Sequence, residues 1–292
     1  MSSLKEIKGR IASVKSTKKI TSAMKMVASA KLRKAQYRIE SFLPYERRLA
    51  TILSDFLSGY SEEEFSSALS EVREVRKVAI VVLSSNSSLC GAFNSNVIRL
   101  LNESINKYRD LKCEIEVYPV GKKVEEAVRK LKVPVEVKGS YIPLMDKPDF
   151  EGAKEIADAL MNDFLARKID RVDLLYNHFK STGIQIPTDE LFLPVDLTNR
   201  AESNAIPTDF IIEPDRITLL NTLIPRSLRS KIYAILLDSA AAEQAARTVA
   251  MQIATDNADE ILDDLTIQHN KQRQQAITSE LLDIIGGSEA LK

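Results

Sequence analysis

From Pro225 to Gly286 the sequence carries no intervening proline or glycine, a run of about 60 residues that equals roughly 90 Å of helix at the standard rise. A helix of that length cannot bury itself in one small globule, so it must pair with another long element. The other end of the chain supplies one. Leu4, Ile7, Ile11 and Val14 alternate spacings of three and four, which keeps them on one stripe of a helix, and Ile20, Met24 and Val27 resume the pattern. The step from Val14 to Ile20 is six residues, whereas a strict heptad would place Lys18 and Thr21 in the seam. The stripe is therefore expected to change phase near Thr17, giving an irregular coiled coil. Pro44 is expected to kink or interrupt this first helix, with Tyr45 to Leu57 continuing it.

In the second helix Pro225 suits a first turn, and Gly286 and Gly287 read as a stop signal. Between them Leu228, Ile232, Ile235, Leu236, Ala242, Ala246, Val249, Ile253, Ile261, Leu265, Leu281 and Ile284 form an intermittent apolar stripe. Ala240 to Ala246 is small enough for close backbone approach, and Gln268 to Gln275 is polar all round, which calls for solvent or an external partner. Net charge is zero, yet residues 1–40 hold eleven Lys or Arg against two Glu while the C-terminal helix is acidic. Antiparallel pairing is thereby encouraged. Two readings of the basic stretch stand at this point: a solvated helix face, or a surface for an acidic protein, nucleic acid or lipid headgroup.

The middle of the chain has a different texture. Lys77 to Ser84 contains Val78, Ala79, Ile80, Val81, Val82 and Leu83, the continuous apolar run of a strand covered on both faces. A polar turn, SSNSSLCGAFNSN, precedes a helix at about Asn94 to Tyr108; Glu114 to Pro119 reads as a strand, Lys122 to Leu131 and Glu151 to Arg167 as helices, and Arg171 to Phe179 and Glu190 to Pro194 as strands. Such alternation predicts a mostly parallel sheet with helices on its faces and an antiparallel edge at the end. The fold class is α/β: a long antiparallel coiled coil of N- and C-terminal helices (1–60 and 210–292) with an inserted Rossmann-like α/β domain (75–200).

Chemistry is sparse. Only Gly91 stands where a dinucleotide fingerprint or a phosphate-binding loop needs several glycines, and Ser87, Ser88 and Asn94 are expected to cap the following helix. His178 and His269 lack partners at ligand spacing; His178 is expected to satisfy a strand end and His269 to face solvent. Cys90 and Cys113 read as buried free thiols. No nucleophile elbow or paired-carboxylate signature is present. The sequence has no apolar run near the roughly 20 residues that span a bilayer and no signal-peptide core, so a cytoplasmic location is expected.

The runs LKEIKGRIASVKSTKKITSAMKMVASAKLRKAQ, LCGAFNSN, EQAARTVAMQIATDNADEIL and NKQRQQAITSELLDIIGG resemble, in order and over nearly the whole length, the gamma subunit of bacterial F-type ATP synthases. Two departures stand out: Ser87 and Ser88 occupy positions where the family commonly has Arg-Gly, and Gly287-Ser288 replaces Gly-Ala. Neither is expected to touch the shaft.

The resemblance implies a non-catalytic rotor without cofactor or metal. Its two helices would stand inside a hexameric ring of alpha and beta subunits, and its α/β domain would lie near an epsilon subunit and the c-subunit ring. Membrane contact would be indirect through that ring, peripheral on the cytoplasmic face of the bacterial inner membrane, with no nucleic acid involved. Proton flow would turn the shaft, whose asymmetry biases the beta sites in turn. The basic face of Lys18, Lys19, Lys25, Lys31, Arg33 and Lys34 would meet acidic loops of the beta subunits through individually weak charge pairs. Met24 matches a position beside that loop, although a seam methionine explains it equally. Arg247, Gln274, Thr278 and Glu280 match positions where the helices meet the ring's catch region, and Leu281, Leu282, Ile284 and Ile285 would form a bearing tip. A coiled-coil scaffold with a partner-binding α/β domain is the alternative; a generic scaffold need keep only apolar periodicity, not these composite runs. A nucleic-acid binder using the basic helix would have only Tyr37 as an aromatic before residue 40, and a nucleotide enzyme would lack a phosphate loop.

Overall fold

A computed structural model describes residues 4–58, 67–131, 134–195, 213 and 215–289. The chain forms two compact units, the described residues of Met1–Ala28 with Thr248–Lys292, and Ser29–Arg247. Two long helices, α1 (Leu4–Ser58) and α6 (Arg216–Glu289), contribute to both.

In the larger unit a five-stranded sheet has the order β3-β2-β1-β4-β5. Its strands are β1 (Lys77–Leu83), β2 (Glu114–Val120), β3 (Glu136–Val137), β4 (Arg171–Ser181) and β5 (Ile184–Leu193). β1 pairs in parallel with β2 and β4, β2 in parallel with β3, and β4 antiparallel with β5, which matches the expected parallel sheet with an antiparallel edge. Residues of β1 alternate between two cores, which is why its run is apolar throughout. Val78, Ile80 and Val82 meet Val97, Leu101 and Ile105 of α2 (Phe93–Asp110) and Val124 of α3 (Lys122–Val128). Ala79, Val81 and Leu83 meet Ile156, Leu160 and Phe164 of α5 (Phe150–Leu165) and Ile224, Leu228, Ile232 and Leu236 of α6. The N-terminal part of α6 thus spends its aliphatic stripe on the sheet. Further along, Ala241 and Ala245 pack on Leu32 of α1, while Phe42 stacks edge-on against Tyr233 with ring centroids 5.0 Å apart.

Pro44 lies inside α1, which is not interrupted there and continues through Tyr45 to Leu57. Two expectations about helix ends fail. Pro225 lies inside α6, whose first turn is instead capped by Asp215 accepting the Thr218 N–H at 2.8 Å. Each proline removes one helical hydrogen bond, but Glu40 and Asn221, the residues whose carbonyls lose a donor, are exposed and open to water. The helix also passes Gly286 and Gly287 and ends at Glu289; a glycine costs about 1 kcal/mol in a helix, which discourages but does not stop it. Strand β5 begins six residues before the expected Glu190, and the two-residue β3 and the short α4 (Ile142–Asp146) were not foreseen from the sequence.

The smaller unit is a two-helix pair whose seam keeps an unbroken heptad. The heptad positions Leu4, Ile7, Ile11, Val14, Lys18, Thr21, Lys25 and Ala28 of α1 and Met251, Thr255, Ala258, Leu262, Leu265 and His269 of α6 are all buried or partly buried, with Ser22, Met24, Gln252, Ala254 and Asp259 partly buried beside them. The phase change expected near Thr17 does not occur. Ile20 and Val27, expected in the seam, are 60% and 56% exposed, whereas Thr21 is 9% exposed. On α6, Ile253 and Ile261 likewise face outward. His269 is partly buried rather than solvent-facing.

Candidate functional site

The seam accepts its polar members because the facing helix completes them. Thr21 Oγ1 and Thr255 Oγ1 lie 2.9 Å apart, each also within reach of a carbonyl one turn back on its own helix, Lys18 at 3.1 Å and Met251 at 2.8 Å. One turn away the Lys18 ammonium pairs with the Asp259 carboxylate, both partly exposed. Residue numbers rise on one helix as they fall on the other, so the pair is antiparallel. With the heptad positions filled in this way, the remaining large side chains are left outside. Ile20, Met26 and Val27 of α1 and Ile253, Ile261, Ile267 and Ile277 of α6 are all exposed.

The expected contact residues fall into three groups. Lys19, Gln274, Thr278 and Glu280 are exposed, and Leu281, Leu282, Ile284 and Ile285 are exposed on α6 beyond the last seam positions. Met24 and Lys25 are partly buried, as is Lys18 with its Asp259 partner. Arg247, in the larger unit, is turned inward at 8% exposure.

Around Arg247 the sheet unit is tightly wired. Its guanidinium pairs with Glu243 one turn earlier on α6, a carboxylate that is 5% exposed. Burial pushes the Glu243 carboxyl above its usual range, and the Arg247 charge pulls it back. The second arm of the guanidinium reaches the turn after β1: Nη2 donates to Ser87 Oγ at 2.8 Å, to the Ser87 carbonyl at 3.3 Å and to the Ser88 carbonyl at 3.4 Å. Beside it Cys90 and Phe93 pack on Ala242 and Ala246. Contrary to expectation, the departure at Ser87 therefore does touch a long helix.

The same turn is spoken for elsewhere. Ser84 Oγ accepts the Val124 N–H at 2.9 Å, Ser85 N–H donates to Asn94 Oδ1 at 3.0 Å, and the Asn86 amide bridges the Ile142 carbonyl and the Lys122 N–H at 2.9 Å each. No side chain caps α2, whose N-cap is Ala92, so Ser87, Ser88 and Asn94 do not perform the capping expected of them. In place of a phosphate, the carboxyl end of β1 meets an arginine from its own chain. His178, expected at a strand end, instead bonds through Nδ1 to Asp238 of α6 at 2.7 Å. Cys90 is buried, whereas Cys113 is only partly so. A recess of about 600 Å³ lies nearby between α1, α6 and the β4–β5 edge, and on its strand side the charged groups are paired, Lys231 with Glu190 and Asp238 with His178.

This architecture, long paired helices around an α/β insertion, is shared with known proteins. The ATP synthase family model matches residues 3–291. The ATP synthase gamma chain of Azobacteroides pseudotrichonymphae is 58% identical over 294 residues, covering 100% of each chain. The chain belongs to the ATP synthase gamma-chain family. Similar relatives include the gamma chains of Phocaeicola vulgatus, 55% identical over 99% of this chain and 100% of its own, and Flavobacterium johnsoniae, 43% identical over 100% and 99%. Among solved structures, a chain of the central stalk and c-ring of the Tetrahymena thermophila mitochondrial ATP synthase matches with a TM-score of 0.59 and 25% identity, covering 80% of this chain and 99% of its own. A rotor chain of the Euglena gracilis enzyme has the same fold, with a TM-score of 0.60 at 17% identity over 94% and 98%. A gamma chain is the central-stalk subunit of an F-type ATP synthase. It is not itself catalytic, and it couples rotation to catalysis in the complex. Among the described residues, no helix is long and apolar enough to cross a membrane.

Proposed function

We propose that this gamma chain turns within a ring of alpha and beta subunits at the cytoplasmic face of a bacterial inner membrane, driven by protons through a c-subunit ring, with an epsilon subunit beside its α/β domain. Lys18, Lys19, Met24 and Lys25 on α1 and Gln274, Thr278 and Glu280 on α6 touch the ring in passing, and Leu281, Leu282, Ile284 and Ile285 form the bearing tip. Arg247 serves the same contacts from inside the chain, by holding α6.

The observation that carries this reading is a local exchange in the two-helix pair. Lys18, Thr21, Lys25 and Thr255 take seam positions beside the aliphatic ones, while Ile20, Met26, Val27, Ile253 and Ile261 face outward. An isolated coiled coil gains by burying its aliphatics and exposing its lysines, so this layout suits a shaft whose outer surface is apolar to a surrounding sleeve. Exposed cations between the aliphatics supply contacts worth under about 1 kcal/mol each, shallow enough to be exchanged among equivalent partners during rotation.

The test is reconstitution with purified alpha and beta subunits and observation of a probe on Glu103→Cys, an exposed position of α2, with Cys113 replaced by Ser. Unidirectional stepping during ATP hydrolysis is expected. Absence of a complex with subunits that assemble in a control would sink the reading in favour of a scaffold. Removal of the residues after Gln275 is expected to weaken torque and assembly while the α/β domain keeps its circular dichroism; parallel loss of both would refute the separate role of the tip.

A further inference from the structure

The Glu243–Arg247 pair poses a question that its family role leaves open. Both side chains are buried in the larger unit, at 5% and 8% exposure. Taking two charges out of water costs several kcal/mol each, and a well-packed hydrophobic pair in the same place is often as stable or more so. Stability is therefore a poor reason for such a pair. Positional uniqueness is a better one, because a polar group in an apolar contact tolerates only the register that satisfies it.

The local packing has need of such a device. Next to the pair α6 offers Ala241, Ala242, Ala245 and Ala246, which meet Leu32 on one side and Cys90 and Phe93 on the other. Flat alanine surfaces interlock weakly, so beyond the aliphatic stripe that ends at Leu236 and the Asp238–His178 contact they leave the angular position of α6 only loosely specified. Arg247 removes that freedom. Its fork holds Glu243 with one arm and the turn Ser87–Ser88 with the other, and the acceptors on the turn are themselves held by the Ser85–Asn94 hydrogen bonds at the end of β1. The compact sheet unit ends on α6 at Arg247, so this is the last residue of α6 that the unit holds.

We propose that Glu243, Arg247 and Ser87 form a registry pin that sets the angular position of α6 on the α/β domain, and with it the phase at which the shaft presents its asymmetric face. This rests on the rotor reading above. All three are positioning residues. Ser87 supplies the shortest of the three contacts on the turn, through a side chain rather than backbone.

The decisive variant is Glu243→Leu/Arg247→Met, which keeps volume and removes charge. In the assembled complex, with the probe on Glu103→Cys, its dwell-angle distribution is expected to broaden about twofold, and its ratio of ATP synthesis to hydrolysis to fall about threefold, while the unfolding midpoint stays level or rises. Arg247→Lys, which keeps charge but loses the planar fork, should broaden the dwells to a lesser degree. Ser87→Ala leaves the ion pair intact and is expected to broaden them by about a third. It also separates the pin from any direct contact of Arg247 with the ring, since it alters only the internal acceptor. Wild-type dwell widths and ratio in the double variant would overturn the proposal; should that variant fail to assemble, unchanged widths in Ser87→Ala would overturn it. A wild-type complex that does not rotate would instead overturn the rotor reading.

Discussion

The two compact units solve burial in opposite ways. In the sheet unit, β1 is covered on both faces, and Phe164, Leu160, Val81 and Leu174 are wholly enclosed. In the two-helix unit the buried set shrinks to residues such as Ile7, Ala28, Met251, Ala258 and Leu265, with Thr21 among them. Hydrophobic stabilisation follows the apolar area removed from water, so the sheet unit carries its stability within itself, while the helix pair leaves a large part of its aliphatic surface outside. One chain thus holds a self-buried sheet unit and a helix pair with aliphatic side chains on its outside, each recognisable by where its isoleucines point.

Several substitutions would break or sharpen this contrast. Phe164→Ala, which also removes the platform beneath the Arg73 guanidinium 4.2 Å away, is expected to cost about 3–5 kcal/mol in urea unfolding of the chain. Gly121→Ala should follow at about 3 kcal/mol or somewhat less, because its φ of +108° is foreign to other residues and a Cβ would collide with the Ser84 carbonyl; a normal unfolding midpoint would show that the turn yields to the added carbon. In the helix pair Met251→Ala should cost only about 2 kcal/mol, read as earlier loss of helical circular dichroism, since a thin seam forfeits fewer contacts. Thr21→Val alone should cost about 0.5–1 kcal/mol, because Thr255 loses its cross-helix partner but keeps the Met251 carbonyl, whereas Thr21→Val/Thr255→Val should be close to neutral; a double-mutant cycle measures the difference. Lys18→Ala is expected to change stability by under about 0.5 kcal/mol and to lose even that in high salt. A larger Lys18 effect, or an additive threonine pair, would mean that the polar seam is itself a source of stability and that the two units differ less than their burial suggests.

Strong local signals were legible in advance. The apolar run of β1, the helix that follows it, and the parallel order with an antiparallel edge all emerged from periodicity and length. Weak ones did not. The start of β5 at Ile184 was hidden because Pro187 and Thr188–Asp189–Glu190 dilute its alternation, which an edge strand tolerates. Pro225, Gly286 and Gly287 misled at helix ends because each states a local cost that a long helix can absorb. The exposed members of the expected contact set could be named from motif resemblance, but the inward turn of Arg247 could not.

What the residues determined unaided was that two long helices exist, that they pair antiparallel, and that a sheet domain interrupts them; length, charge layout and apolar spacing suffice for that. Which stripe became the seam was decided only in three dimensions. Read alone, α1 favours Ile20 and Val27 over Lys18 and Thr21, since burying an aliphatic side chain stabilises a seam more than burying a lysine or a threonine does. With α6 beside it, Asp259 and Thr255 complete the polar pair and keep the heptad in phase. A side chain's environment belongs to the partner that faces it, and no spacing within one helix contains that partner.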